Sequence, residues 1–303
     1  MSLSTKKWLR RIIMVLLLLV ALAIAAVWLG LQLAQRRMER KLDVPVQAVA
    51  LRDDAAAVAR GQYLFSSRGC VDCHGANGGG RVFIDDPKNG IRVIGPHIGP
   101  GPGSVTAAYQ PGDWVRSIRH GVNPAGRPLM IMPSEDYNRY TDDDLASLVA
   151  YIRSMPPAEG GAAVLELPVP VRVLYGYGMI RDAAAKIDHT LPPTQPVAQA
   201  VTREHGAYVA NMCLGCHGAT LAGGKIEGGP PDWPPAARLA IGEGSVMPRY
   251  PDAASLIQLF RTGKRADGTA VKVMPFDSLG KISDTDMQAL HLFLTTLPTP
   301  AKS

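Results

Sequence analysis

The sequence predicts a helical protein in which one long apolar helix precedes two copies of a single domain. Residues 12–34 form an apolar run without charge, and the pentapeptide at residues 70–74 returns in similar form at residues 213–217. These pentapeptides, CVDCH and CLGCH, contain all 4 cysteines of the 303-residue chain. The duplication agrees with the two domains that a chain of this length favours.

The apolar run, Ile12 to Ala34, contains 23 residues and is interrupted only by Gly30 and Gln32. As a helix it would extend about 34 Å, which is enough to cross the hydrocarbon core of a bilayer. A cleaved signal peptide is the alternative, because residues 21–25 resemble cleavage sites. We expect an uncleaved transmembrane anchor, because the run continues well beyond those sites.

The net charge of +6 belongs entirely to the membrane end of the chain. Residues 1–43 hold 8 basic and 2 acidic residues, whereas residues 44–303 hold 24 of each. Residues 44–303 therefore have no net positive charge that would attract a polyanion. We therefore expect no binding to nucleic acid.

Each pentapeptide has the form C-x-x-C-H, which is the attachment signature of c-type haem. Cysteines one helical turn apart can each form a thioether with a haem vinyl group, and the adjacent histidine can bind the iron. We therefore expect two covalently bound haem c groups. The predicted attachment residues are Cys70, Cys73, His74, Cys213, Cys216 and His217.

Two other kinds of site use cysteine pairs of this spacing. A zinc ion could bind both pairs together, but this does not explain the histidine that follows each pair. A thioredoxin-like dithiol could use one pair, but this does not explain the duplication. Haem attachment explains both features.

The residues around the two motifs also recur. Ala59–Phe65 precedes the first motif and matches His205–Val209 before the second, and the dipeptide at Met132 returns at Met274 with the same proline after it. The order in each copy is therefore a helix, the C-x-x-C-H motif, a long loop and a Met-Pro dipeptide.

A terminal helix is predicted to close each copy. Thr141 and Ser283 can cap helices whose first turns are acidic, as N-terminal turns prefer. Pro156 and Pro298 follow and should end these helices.

This order resembles the class I cytochrome c family over residues 44–157 and 201–300. The resemblance implies an all-α fold, with two tandem class I cytochrome c domains after the N-terminal transmembrane helix. In that fold the first and last helices of a domain cross beside one haem. The resemblance also implies that a loop methionine binds the iron opposite the histidine.

We expect four segments along the chain. Residues 1–43 are the tail, anchor and basic flank, and residues 44–157 are the first cytochrome c domain. Residues 158–200 are a proline-rich connector packed between the domains, and residues 201–303 are the second domain. Residues 35–50 are predicted to be the flexible tether.

The second iron ligands must be chosen from 11 methionines. Only Met132 has a methionine, Met274, at the matching position of the other copy, so these two are the predicted metal ligands. Met130 and Met247 are the reserve candidates, although Met130 aligns with Lys272.

Two further roles are implied by the resemblance. The carbonyl of Pro96 should accept a hydrogen bond from the ring of His74 and so orient it, and Pro230 or Pro231 should do the same for His217.

Trp114 is expected either to donate its indole N–H to a haem propionate or to be an ordinary core aromatic. Five histidines outside the motifs have no histidine at the matching repeat position, so surface or packing roles are expected for them. They are His97, His120, His189, His205 and His291.

Iron with histidine and methionine ligands has no open position for a substrate and exchanges single electrons. The predicted function is therefore electron transfer, not catalysis. The sequence also resembles the cytochrome subunits of membrane-bound alcohol and gluconate dehydrogenases. The alternative is a di-haem enzyme, such as a peroxidase or a sulfur-compound dehydrogenase, which would require an open iron position.

The expected partners are a redox donor and a redox acceptor, among them a dehydrogenase, a quinol-oxidising complex or a terminal oxidase. Thioether attachment takes place outside the bacterial cytoplasm. We therefore expect the helix to lie in the inner membrane and both haem domains to lie in the periplasm.

Overall fold

The computed structural model describes residues 3–230 and 232–297. Helix α1, Leu3–Glu39, contains the predicted apolar run and is the one helix in this part of the chain that is long and apolar enough to cross a membrane. The body that follows contains two units with separate apolar cores. We call residues 44–157 the first unit and residues 201–297 the second unit.

The first unit contains four helices. They are α2 (Ala55–Ser67), α3 (Cys70–His74), α4 (Pro111–His120) and α5 (Asp142–Ser154). After α6 (Val169–Gly176) in the connector, the second unit repeats the arrangement with one further helix. Its helices are α7 (Arg203–Ala210), α8 (Leu214–His217), α9 (Ala253–Thr262), α10 (Phe276–Leu279) and α11 (Asp284–Thr295).

A glycine lets the first and last helices of each unit cross at close range. A Cβ atom on Gly61 in α2 would lie 1.9 Å from the carbonyl oxygen of Ser147 in α5. In the second unit, a Cβ atom on Gly206 in α7 would lie 2.0 Å from the carbonyl oxygen of Ala289 in α11. No side chain fits at either position, so the two glycines determine the same crossing twice.

The predicted starts of both terminal helices are confirmed. The hydroxyl of Thr141 accepts a hydrogen bond from the backbone N–H of Asp144, and Ser283 accepts one from Asp286. Each cap satisfies a backbone donor that has no partner within the helix. The predicted stop at Pro298 lies outside the described residues.

The all-α prediction is wrong, because the structure contains a three-stranded antiparallel sheet. Strands β1 (Arg81–Asp86) and β2 (Ile91–Gly95) form a hairpin after the first motif, and β3 (Val164–Glu166) pairs with β2. The segments RVFI and IRVI contain β-branched residues on both sides of a turn with the sequence PKNG, which is typical of a hairpin. The resemblance to a helical family predicts only a long loop for this segment.

The predicted flexible tether is packed against the body. Arg40 makes two hydrogen bonds with the carboxylate of Asp182, at 2.7 and 2.8 Å, and the N–H of Leu42 donates to the carbonyl of Gly126. Val44 and Val49 are buried. Burial of these apolar residues fixes the course of the segment, so the prediction of a flexible tether is wrong.

The connector contacts both units. Strand β3 joins the sheet of the first unit, and Lys186 forms a 2.9 Å ion pair with Glu135 there. Arg181 forms a 2.9 Å ion pair with Glu227 in the second unit. These contacts join the units through the connector as well as directly.

Candidate haem sites and the interface between them

The first motif forms the short helix α3, and a backbone carbonyl orients its histidine. The Nδ1 atom of His74 lies 2.9 Å from the carbonyl oxygen of Pro96, as predicted. Because a carbonyl can only accept, Nδ1 carries the proton and Nε2 keeps its lone pair. Burial lowers the pKa of His74, which favours the neutral imidazole that a metal requires.

A glycine next to this carbonyl permits the approach. A Cβ atom on Gly95 would lie 1.9 Å from the carbonyl oxygen of Cys73. The Gly-Pro pair therefore has two roles, since the glycine lets the loop reach α3 and the proline supplies the acceptor for the histidine.

The second motif is oriented in the same way by a different residue. The Nδ1 atom of His217 lies 2.8 Å from the carbonyl oxygen of Ala237. The expectation for Pro230 is therefore wrong, and Pro231 lies outside the described residues. The acceptor follows its histidine by 20 residues here and by 22 in the first unit, because the second loop takes a different course and lacks the hairpin.

Cys70 and Cys213 pack against the apolar cores of their units, whereas Cys216 is exposed. Burial raises the pKa of Cys70 and of Cys213 to about 12 and that of Cys73 to about 11. A redox dithiol or a thiolate metal site would need the opposite shift. In the part of the chain that the structure describes, no three His, Cys, Asp or Glu side chains are grouped to hold a metal ion. The raised thiol pKa values thus do not favour a redox dithiol or a thiolate metal site.

The candidate methionines differ in their surroundings. Met132 is half-buried at the edge of the first core, beside which Cys70 also packs. Met274 packs in the same way against the second core, together with Cys213. Met247 is instead buried within the second core, where it has a packing role. The ligand roles of Met132 and Met274 stay predictions.

The other histidines are engaged with protein atoms, in agreement with packing roles. His97 is fully buried and its ring contacts the carbonyls of Pro100 and Pro102, both at 3.2 Å. His120 and His189 pair through their Nδ1 atoms at 3.0 Å. His205 and His291 are bonded to Asp286 and to the carbonyl of Tyr250, respectively.

Trp114 is buried in the first core, where its ring packs edge-on against Tyr109 at a centroid distance of 5.2 Å. The same two rings line a cavity between the loop that follows β2 and helix α5. The structure thus bears out the packing role, and the propionate role stays a prediction.

Comparison with protein-family models finds the cytochrome c family, described as "Cytochrome c", over residues 58–156. The matched range begins in α2, contains the first C-x-x-C-H motif and its histidine acceptor, and ends after α5. These residues form a cytochrome c domain. The family resemblance predicted from the sequence is thereby confirmed for the first unit, and a cytochrome c domain implies covalently bound haem c.

Several curated proteins are similar at modest identity. The fructose dehydrogenase cytochrome subunit of Gluconobacter japonicus is 27% identical over 82% of this chain and 54% of its own length. The gluconate 2-dehydrogenase cytochrome c subunit of Pantoea cypripedii is 27% identical over 55% of this chain and 40% of its own. A diheme cytochrome c-type protein of Cereibacter sphaeroides is 27% identical over 39% of this chain and 43% of its own.

This chain spans about half the length of the curated relatives it matches, or less. The names of the first two are those of cytochrome subunits and not of catalytic subunits. They agree with the prediction of an electron carrier instead of an enzyme.

Helix α3, which contains the first C-x-x-C-H motif, touches the second unit, and the contact is reciprocal. The backbone N–H of Gly215, beside the last cysteine of the second motif, donates to Asp136 of the first unit at 2.6 Å. The hydroxyl of Ser278 in the second unit donates to Asp72, beside the last cysteine of the first motif, at 2.7 Å. Asp136 and Ser278 each follow their predicted methionine ligand by four residues.

A second pair of contacts follows the same symmetry. The hydroxyl of Tyr63 in α2 donates to Asp286 in α11, and that of Tyr208 in α7 donates to Asp144 in α5, both at 2.6 Å. The two tyrosines occupy matching positions in the repeat, as do the two aspartates. The units therefore pack about an approximate twofold axis.

Buried charged groups surround the hydrogen bond between Tyr63 and Asp286. Asp286 also accepts from the ring of His205 at 2.7 Å and from the guanidinium of Arg68 at 2.6 Å. Burial alone would raise the pKa of Asp286, but the hydrogen bond from His205 and the charge of Arg68 hold it well below its usual range. The corresponding Asp144 is paired with Arg60, which replaces His205 in the repeat.

The interface residues were missed by the sequence analysis. The recurrence of Tyr63 as Tyr208, and of Asp144 as Asp286, could have marked them. Arg68 offers no such signal, because the segment before the cysteine is two residues longer in the first copy and the second copy has no arginine there.

Proposed function

We propose that this protein is a membrane-anchored electron carrier with two covalently attached haem c groups. It receives single electrons from a dehydrogenase and passes them to a respiratory acceptor such as a terminal oxidase. Its helix α1 lies in the bacterial inner membrane, and both units lie in the periplasm.

The contact of each motif helix with the opposite unit supports this function most directly. Gly215 and Asp72 each lie next to an attachment cysteine, and each is bonded across the interface to the opposite Met-Pro loop. The two attachment sites therefore lie on either side of one interface. Electron transfer within the chain then needs no motion of one unit relative to the other.

When bound at these sites, haem with histidine and methionine ligands would supply a one-electron iron couple without an open position. The chain's own residues hold its ligands in place. The carbonyls of Pro96 and Ala237 orient the rings of His74 and His217 and keep Nε2 available for metal. The buried surroundings also exclude water from the reacting groups.

The relatives support the choice of a dehydrogenase as donor. The names of two of them assign those proteins to fructose and gluconate dehydrogenases. Purification of the anchored full chain from its native membrane should therefore recover a catalytic dehydrogenase subunit. Recovery of the chain with only an oxidase would contradict the proposed donor.

Haem content and spectra test the central proposal. The full chain should carry two haems by mass and accept two electrons in a reductive titration, and its ferric spectrum should be low-spin. The double substitution of Cys70 and Cys73 by alanine should leave one haem, as should that of Cys213 and Cys216. A single haem in the unaltered chain, or a high-spin haem with peroxide turnover, would contradict the proposal.

A reporter fusion tests the location. Alkaline phosphatase fused to the C-terminus should be active, because the enzyme requires the periplasm. An inactive fusion, with a cytoplasmic reporter active in its place, would contradict both the orientation and the attachment of haem.

A further inference from the structure

Helix α1 contacts the connector within its apolar run. A Cβ atom on Gly176 in α6 would lie 2.0 Å from the carbonyl oxygen of Gly30, and one on Gly30 would lie 2.9 Å from Val173 and from Tyr177. The hydroxyl of Tyr177 donates to the carbonyl of Ala26 at 2.7 Å. Helix α6 therefore packs against α1 at a level where α1 is still apolar.

The aromatic residues of α1 indicate where this level lies in a bilayer. Trp8 and Trp28 are both mostly exposed, and their separation of 20 positions corresponds to about 30 Å of helix. This is the thickness of the hydrocarbon core, and tryptophan prefers its two boundaries. Tyr177 is bonded close to Trp28, so α6 lies at the outer boundary.

The connector exposes apolar side chains at this boundary. Leu174, Tyr177 and Met179 are 36%, 44% and 68% exposed. Their neighbours in the chain, Tyr175 and Gly176, are buried against α1 and the body. The apolar surface of α6 is therefore continuous with the lipid-facing surface of α1.

Basic residues at the end of α1 lie just beyond the same boundary. Arg36, Arg37 and Lys41 follow the last apolar residues of α1, and such residues are attracted to the phosphates of anionic lipids. Arg40 is instead bonded to Asp182, which fastens α1 to the connector. The connection between α1 and the body is therefore rigid, so the body does not rotate freely about the helix.

We propose that α6 and residues 177–179 form a lipid-docking surface that holds the body in one orientation on the bilayer. This rests on the membrane anchoring proposed above and goes beyond it. The occupant is the phospholipid boundary itself, with apolar side chains at acyl depth and arginines at the phosphates. A redox partner in the membrane would then meet a constant face of the protein.

Photocrosslinking tests the contact with lipid. Benzoylphenylalanine in place of Met179 should label phospholipid when the full chain is in vesicles with anionic lipid. The same residue in place of Leu17, which is 65% exposed on α1, is the positive control, and Leu292 on α11 is the negative control. Labelling from position 17 without labelling from 179 would overturn the docking surface alone. No labelling from position 17 would overturn the membrane anchor and the docking surface together.

Linear dichroism tests the fixed orientation. The haem absorption of the full chain in oriented bilayers should be strongly dichroic. The variant Gly176→Ala should lose most of this dichroism with its haem content and reduction potentials unchanged. The control Gly161→Ala should keep the dichroism, because a Cβ atom there meets nothing within 4 Å. An isotropic signal from the unaltered chain, or full dichroism in Gly176→Ala, would overturn the proposal.

Discussion

The hydroxyl of Tyr63 lies 2.6 Å from a carboxylate oxygen of Asp286, although 223 residues separate them in the chain. The same oxygen of Tyr63 accepts a 3.0 Å hydrogen bond from the backbone N–H of Ser283. One tyrosine thus joins the first helix of one unit to the capped start of the last helix of the other. Tyr208 repeats both contacts with Asp144 and Thr141, so duplication of the domain also produced a self-complementary interface.

Removal of one hydroxyl should weaken this interface. Tyr63→Phe removes one of the three side-chain hydrogen bonds that Asp286 accepts and leaves the N–H of Ser283 without its partner, so we expect a loss of about 1–3 kcal/mol in the free energy of unfolding. Chemical denaturation with the haem content verified measures this. Tyr208→Phe should have a similar effect. Tyr151→Phe is the matched control, because its hydroxyl makes no hydrogen bond within the described residues. Equal stability of all three variants would contradict the role of the interface.

The helix crossings depend on two glycines. In Gly61→Ala the added methyl group would overlap the backbone of Ser147, and the same holds for Gly206→Ala and Ala289. We expect each variant to lose at least about 1–3 kcal/mol of stability, because neither backbone can move freely. Thermal unfolding should detect this, whereas Gly161→Ala should unfold as the unaltered chain does. A normal melting temperature for either crossing variant would show that the helices can separate at no cost.

The predicted iron ligands, Met132 and Met274, should respond to substitution differently from the reserve candidates, Met130 and Met247. Met132→Ala and Met274→Ala should each lower the reduction potential of one haem, because thioether sulfur favours ferrous iron, and should let carbon monoxide bind that iron. Met247→Ala should instead lower stability by about 2–5 kcal/mol, as expected for a buried methionine, with unchanged potentials. Met130→Ala should alter neither. Carbon monoxide binding in the Met130 or Met247 variant would contradict the alignment of the repeats.

The contact between His120 and His189 should weaken in acid. Burial lowers the pKa of His120 to about 4, with further contributions from His189, Arg119 and Arg116. The unfolded state therefore binds the proton more readily, so the contribution to stability is greatest above about pH 6.5 and falls as the pH drops towards about 4. The protection of the backbone amides of residues 183–191 against hydrogen exchange, relative to their intrinsic rates, should fall in this range. His120→Asn should flatten that dependence, and His291→Asn should leave it unchanged.

The local chemistry of the attachment sites could be predicted from the sequence. The spacing of Cys70, Cys73 and His74 is a property of one helical turn, and the carbonyl of Pro96 was correctly paired with His74. The partner of His217 was not, because a loop can bring any backbone carbonyl to the same place. The acceptor role of Ala237 therefore could not be predicted from its residue type.

The sequence by itself determined what is encoded by near neighbours: the two C-x-x-C-H motifs, the long apolar helix, and the capped helices after Thr141 and Ser283. Only the tertiary structure decided the hairpin's place in a sheet, the course of residues 35–50 and the interface around Asp286. The physical reason is distance along the chain. Helical spacing, capping and apolar length act within a few residues, whereas a buried carboxylate depends on donors that folding brings from another part of the chain.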